Sequence, residues 1–111
     1  MLEPNPDIRI VLTTTGSRDA AAKIGRALVE ERLAACATAV PGAESVYCWR
    51  GEVQTDSETL LLLKTDVHQL NSLYNRLVAL HTYETPEFLV LSVETASSGY
   101  REWLKASLAR V

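Results

Sequence analysis

Residues 33–49 and 52–65 are two long runs suited to β-structure, with one tight-turn signal, Arg50-Gly51, between them. Pro41-Gly42 interrupts the first run and marks a bulge or bend in one strand. Paired as an antiparallel hairpin, arms of about fourteen residues reach on the order of 45 Å at roughly 3.3 Å per residue. A compact chain of 111 residues has a radius of gyration of only about 13 Å. The hairpin tip must therefore project beyond its own globule. It carries Val46, Tyr47 and Trp49, costly to leave in water at about 25 cal/mol per Å², and a long unpaired edge invites association. The pattern predicts an oligomer whose neighbouring copy pairs the edge and covers the aromatics, with a free exposed hairpin as the less favourable alternative. It does not give the number of copies.

The remaining elements follow from periodicity. Ile8-Arg9-Ile10-Val11-Leu12-Thr13-Thr14 is β-branched and mostly apolar, predicting a first, largely buried strand. Ser17 is a helix cap with Asp19 in the first turn. From there to about Arg32, Ala20, Ile24, Ala27 and Leu28 recur at helical spacing. Thr59-Leu60-Leu61-Leu62-Leu63 suits a strand covered on both faces. Asp66 and Gln69 resemble a capping box for a second helix along Val67, Leu70, Leu73, Tyr74 and Leu77, ending near Leu80. Residues 81–86 form a loop, because Pro86 disfavours helix at Thr85. Residues 88–93 are a further buried strand, and Ser97-Ser98-Gly99 opens a last helix with Tyr100, Trp103, Leu104 and Leu108 on one side. The order β-α-β-β-α-β-α, with right-handed crossovers, predicts an α+β, ferredoxin-like (split β-α-β) sandwich with an extra C-terminal helix. Residues 1–7, with Pro4 and Pro6, read as a loose lead-in, and residues 8–111 as one domain.

Composition excludes several function classes. The net charge is -3 and no basic cluster exceeds two residues, so no phosphate-tracking surface for nucleic acid is expected. The longest apolar run, Leu60 to Leu63, falls far short of the ~20 residues of a membrane helix. The N-terminus lacks the basic and apolar regions of a signal peptide, so a cytoplasmic location is expected. Cys36 and Cys48 lie twelve residues apart on one extended arm, roughly 40 Å, which precludes an intrachain disulfide. No phosphate loop, nucleophile elbow or zinc-protease helix is present, so the chain is not read as an enzyme.

Glu30-Glu31-Arg32-Leu33-Ala34-Ala35-Cys36, Pro41-Gly42, Ser45-Val46-Tyr47 with Trp49 and Gly51, Leu62-Leu63-Lys64-Thr65, His81-Thr82-Tyr83-Glu84-Thr85-Pro86-Glu87 and Tyr100-x-x-Trp103-Leu104 together resemble the CutA divalent-cation tolerance family, from about Ile8 onward. The resemblance implies a ferredoxin-like homotrimer, similar in architecture to the PII signalling proteins, that responds to divalent metals and binds copper. It implies no catalytic mechanism. Thr13 stands where some members have a Cys, and Leu80 and Thr82 flank His81 where some have a His-His pair. Cys48 stands at a position often aromatic in the family.

The candidate metal ligands are Cys36, His81 and Glu84. Imidazole and carboxylate ligate divalent ions, and a thiolate adds affinity for softer ones such as Cu(I) or Zn. No chelating spacing exists in the chain, so such a site must be assembled in space. The alternatives are that Cys36 is a small buried hydrophobe and that His81 and Glu84 terminate the second helix. Lys64 ends a leucine strand and needs an anionic partner, Glu84 or a small bound anion, or an escape to water. With Lys64, Trp49 and Tyr83 are the candidate walls of an inter-subunit ligand cleft, with packing as the alternative. Three functions follow: a copper-binding tolerance protein, a PII-like sensor of a small anionic metabolite, or a trimeric scaffold without a ligand.

Overall fold

In the computed structural model, which describes residues 1–109, the elements are β1 (Leu2–Pro4), β2 (Ile8–Thr15), α1 (Arg18–Glu30), β3 (Cys36–Trp49), β4 (Glu52–Asp66), α2 (Leu70–Leu80), β5 (Leu89–Ser92), β6 (Thr95–Ser97) and α3 (Ser98–Ser107). The last two residues of the expected domain, Arg110 and Val111, lie outside the described residues. Four strands form one sheet in the order β3-β4-β2-β5, with every neighbour antiparallel. The long hairpin forms as expected, and one residue is absorbed in β3 between Val40 and Ala43, at Pro41-Gly42. Arg50 and Gly51 both adopt positive φ, 52° and 82°, matching the right-handed twist of the arms. The molecule measures 46 × 25 × 22 Å, with a radius of gyration of 14.8 Å, as the projecting tip requires.

Side chains alternate across the sheet. Val11, Thr13 and Thr15 of β2 and Leu61, Leu63 and Thr65 of β4 point to one face and are buried. There Ala21, Ile24 and Leu28 of α1 and Leu73 and Leu77 of α2 complete the main core. Each large side chain contributes about 1.5–3 kcal/mol by its burial. Ser17 caps α1, its Oγ accepting from the Ala20 amide at 3.1 Å. Gly25 lets α1 lie close against β3, because a Cβ there would stand 2.9 Å from the Ala37 Cβ. Arg32, at φ 60°, turns the chain out of the helix, and the Leu33 amide donates back to the Leu28 carbonyl at 2.9 Å.

Four expectations are corrected. Leu60 and Leu62 are only half-buried, because in one chain the second sheet face is covered at one end alone, by α3. Leu104 and Leu108 pack there on Ile8 and Ala35, while Tyr100 and Trp103 remain partly exposed. The strand β5 is exposed along its length, since it is an edge strand with no neighbour beyond it among the described residues. The second helix starts at Leu70, not at Asp66, and has no side-chain cap. Asp66 instead ends β4 and accepts from the His68 amide at 3.0 Å, an Asx turn. Finally, residues 2–4 are no loose lead-in. β1 pairs with β6, and the Met1 carbonyl accepts from the Ser98 amide at 2.8 Å, satisfying one orphan donor of α3.

Asp7 fastens α3 to the sheet. One carboxylate oxygen takes the Lys105 ammonium, and Arg101 lies 3.8 Å from the other. The Lys105 hydrogen bond holds the Asp7 carboxyl below its ordinary range, against the opposing effect of burial. A depressed folded value means that this stabilisation is complete above the unfolded carboxyl range, about pH 4, and is lost as pH falls through the folded value. Asp7→Asn is expected to cost roughly 1–2 kcal/mol at neutral pH, read by denaturant unfolding, and the difference from wild type should vanish in acid.

Candidate functional site

On the face that α1 and α2 leave open, the register sets two rows across the sheet. Leu91, Ile10, Lys64 and Cys36 form one, and Leu89, Leu12, Leu62 and Thr38 the next. Lys64 is the one charged side chain in these rows. Its Nζ donates to Thr38 Oγ1 at 2.5 Å and lies 3.7 Å from Cys36 Sγ. Among the described residues no carboxylate lies within ion-pair distance of it, so the expected Glu84 partner is not found. Cys36 is half-buried and free. It lines a groove of about 380 Å³ along the outer edge of β3, between Arg26, Val29 and Glu30 of α1 and Trp103 of α3. Burial raises the Tyr100 phenol nearby, with a smaller contribution from Cys36.

His81 is placed elsewhere. It is buried, and its Nε2 stands 2.8 Å from the Thr14 carbonyl oxygen. A carbonyl only accepts, so Nε2 carries the proton, and Nδ1 accepts from the Tyr83 amide at 3.0 Å. Both ring nitrogens are therefore used, Nε2 in tying the 81–87 loop to β2 and Nδ1 in holding the turn within the loop. Tyr83 packs over this ring with centroids 4.7 Å apart and donates through its hydroxyl to Glu58 Oε2 at 2.8 Å. Burial, then the Glu58 carboxylate, pushes the phenol up to about 12. Tyr47 is likewise bonded to Asp56 and raised. Glu84 is exposed on the loop. Trp49 is 59% exposed at the hairpin tip, with the Arg50 guanidinium 5.6 Å from its ring centroid.

Neither candidate set converges within one chain. Cys36 is two strands and four residues from Thr14, roughly 15 Å, and among the described residues no three Cys, His, Asp or Glu side chains form a metal-binding group. Trp49 pairs with Glu52, and the twelve steps from there to Lys64 span roughly 40 Å. The pairing of Cys36 with Lys64 was not anticipated, although the two-residue turn at Arg50-Gly51, less one residue for the bulge, leads to it. Thr38 and Glu58 were missed because their roles depend on which face each strand presents.

A family model described as "CutA1 divalent ion tolerance protein" matches residues 9–107. This chain belongs to that family. It is 47% identical over 96 residues to the divalent-cation tolerance protein CutA of Thermus thermophilus, covering 86% of this chain and 93% of the relative. It is 45% identical over 98 residues to the chloroplastic protein CutA of Arabidopsis thaliana, covering 88% of this chain and 54% of that longer protein. The CutA structure from Synechococcus elongatus superposes with a TM-score of 0.95 at 38% identity, covering 98% and 96% of the two chains. The family is named for tolerance of divalent ions, not for a reaction.

Because the Tyr83 phenol is raised, its neutral form stabilises the fold fully below about pH 10, the unfolded value, and that contribution is lost as pH rises through about 12. Ultraviolet titration should show a phenol ionising near 12 that is absent from Tyr83→Phe.

Proposed function

We propose that this chain acts in divalent-cation tolerance as a homotrimer of ferredoxin-like subunits whose ligand sites form between copies. The sheet order β3-β4-β2-β5, with antiparallel neighbours throughout, supports the split β-α-β reading. One observation carries the assembly. Among the described residues, no strand lies on the outer side of the fourteen-residue β3, and Val40, Val46, Tyr47 and Trp49 along it are exposed. An edge of that length with exposed apolar side chains is stable in solution when another chain covers it.

Copper is the proposed ion. The thiol of Cys36 is the soft donor, and the exposed carboxylate of Glu84 reaches it from a neighbouring copy. His81 has a structural role in this scheme, since no lone pair on its ring is free. The two free thiols support a reducing, cytoplasmic setting. The second reading, a PII-like sensor of a small anion, is favoured by Lys64, an ammonium in a mostly apolar row whose partners among the described residues are a hydroxyl and a thiol. In that scheme Trp49 and Tyr83 belong to different copies around the same cleft.

Sedimentation velocity at micromolar concentration should give a trimer, and Val46→Asp with Trp49→Glu should shift it to smaller species; a folded wild-type monomer would refute the assembly. Copper calorimetry should give equal heats for wild type and His81→Asn, and at least a tenfold weaker affinity for Cys36→Ser. An organic anion that raises the wild-type Tm but not that of Lys64→Gln, with copper inert, would select the sensor instead.

A further inference from the structure

We propose that hydrogen peroxide joins Cys36 to Lys64 through a sulfur–nitrogen bond, so that the β3–β4 ladder carries a reversible covalent lock. The proposal is independent of copper or anion binding and stands on the position of two reactive groups. Cys36 and Lys64 are directly opposed in register, and their sulfur and nitrogen are 3.7 Å apart. The Thr38 hydroxyl takes a hydrogen bond from the same ammonium at 2.5 Å, which keeps the lysine folded over β3 instead of extended into water. The two atoms need only a rotamer adjustment of the four-carbon lysine stem to meet, a high effective concentration for an intramolecular step. The groove beside Cys36 is ample for a molecule as small as peroxide.

Oxidised thiols condense with neighbouring nucleophiles, nitrogen included. In the first step the Cys36 sulfur displaces water from hydrogen peroxide, giving Cys36–SOH and one H₂O. The sulfur is oxidised by two electrons and the peroxide bond is reduced. In the second, Lys64 Nζ, having released one proton from its ammonium, attacks that sulfur. The S–O bond breaks, and the hydroxide leaves as water with a second nitrogen proton. The sum is Cys–SH + Lys–NH₃⁺ + H₂O₂ → Cys–S–NH–Lys + 2 H₂O + H⁺. A thiol reductant reverses it by attacking sulfur and returning the amine. Cys48 is the internal contrast. It is exposed at the hairpin tip and faces Val53, so it has no opposing amine to capture its oxidised form.

The test uses the full chain with Cys48→Ser, leaving one thiol and no disulfide partner within the chain. Brief peroxide treatment should give a protein lighter by about 2 Da, reverting with dithiothreitol. Peptide mapping should show Cys36 and Lys64 peptides joined. In the Cys48→Ser, Lys64→Gln chain the product should be heavier by about 16 or 32 Da instead, as sulfenic or sulfinic acid. Peptide mapping of the peroxide-treated wild-type chain should show the same cross-link, which guards against a folding effect of Cys48→Ser. A sulfinic acid on Cys36 with Lys64 intact would overturn the proposal. So would an unmodified protein, or a loss of 2 Da that persists without Lys64.

Discussion

The ladder between β3 and β4 spans the length of the molecule, and the other elements are placed by where they meet it. Near its base β4 is flanked on both sides, by β3 and by β2, and there α1 and α2 bury Leu61 and Leu63. Beyond Thr59, where β2 ends at Thr15, the ladder continues as a two-stranded ribbon. An isolated two-stranded ribbon is marginal in water. Its apolar tip residues remain exposed in one chain, and an assembly that covers them stabilises both the ribbon and itself.

The two faces of the sheet therefore carry different tasks. One is closed by α1 and α2 around leucine, isoleucine and alanine. The other is closed by α3 at one end, where Asp7 and the Ile8–Leu104 contact hold the helix, and is crossed beside it by two mostly apolar rows in which Lys64 is the one charged side chain. A charge in such a place is expensive unless it is partnered. Lys64 has found a hydroxyl and a thiol, weaker partners than a carboxylate. The distinctive chemistry of the chain collects around that mismatch.

Much of this was legible in the residues. The Ser17 cap, the helical stripe through Ile24 and Leu28, the Arg50-Gly51 turn and the Pro41-Gly42 bulge are local signals, and each stands where its chemistry demands. What failed was non-local. Leu89, Val90 and Leu91 have the composition of a buried strand, but composition does not say that β5 lies at an edge. Asp66 and Gln69 have capping-box spacing, yet the β2–β4 pairing extends to Ile8↔Asp66 and draws the aspartate into the sheet. Pro4 and Pro6 suggest a loose lead-in, although a strand as short as β1, at the margin of the fold, tolerates Pro4. His81 stands at the end of α2, as the alternative to a ligand role has it, but its bond to the Thr14 carbonyl is to a backbone atom, which residue identity does not reveal.

The bulge at Val40–Ala43 has a mechanical consequence. It lies near the point where β2 stops supporting β4, so it divides the hairpin into a braced root and a free arm. Force applied at Trp49 would open the arm rung by rung toward Ala43 and then meet the irregularity before it loads the rungs at Leu61 and Leu63, which face the core. One residue is left out of the ladder there, so bending of the arm is expected to concentrate at that irregularity while α1 and α2 brace the root.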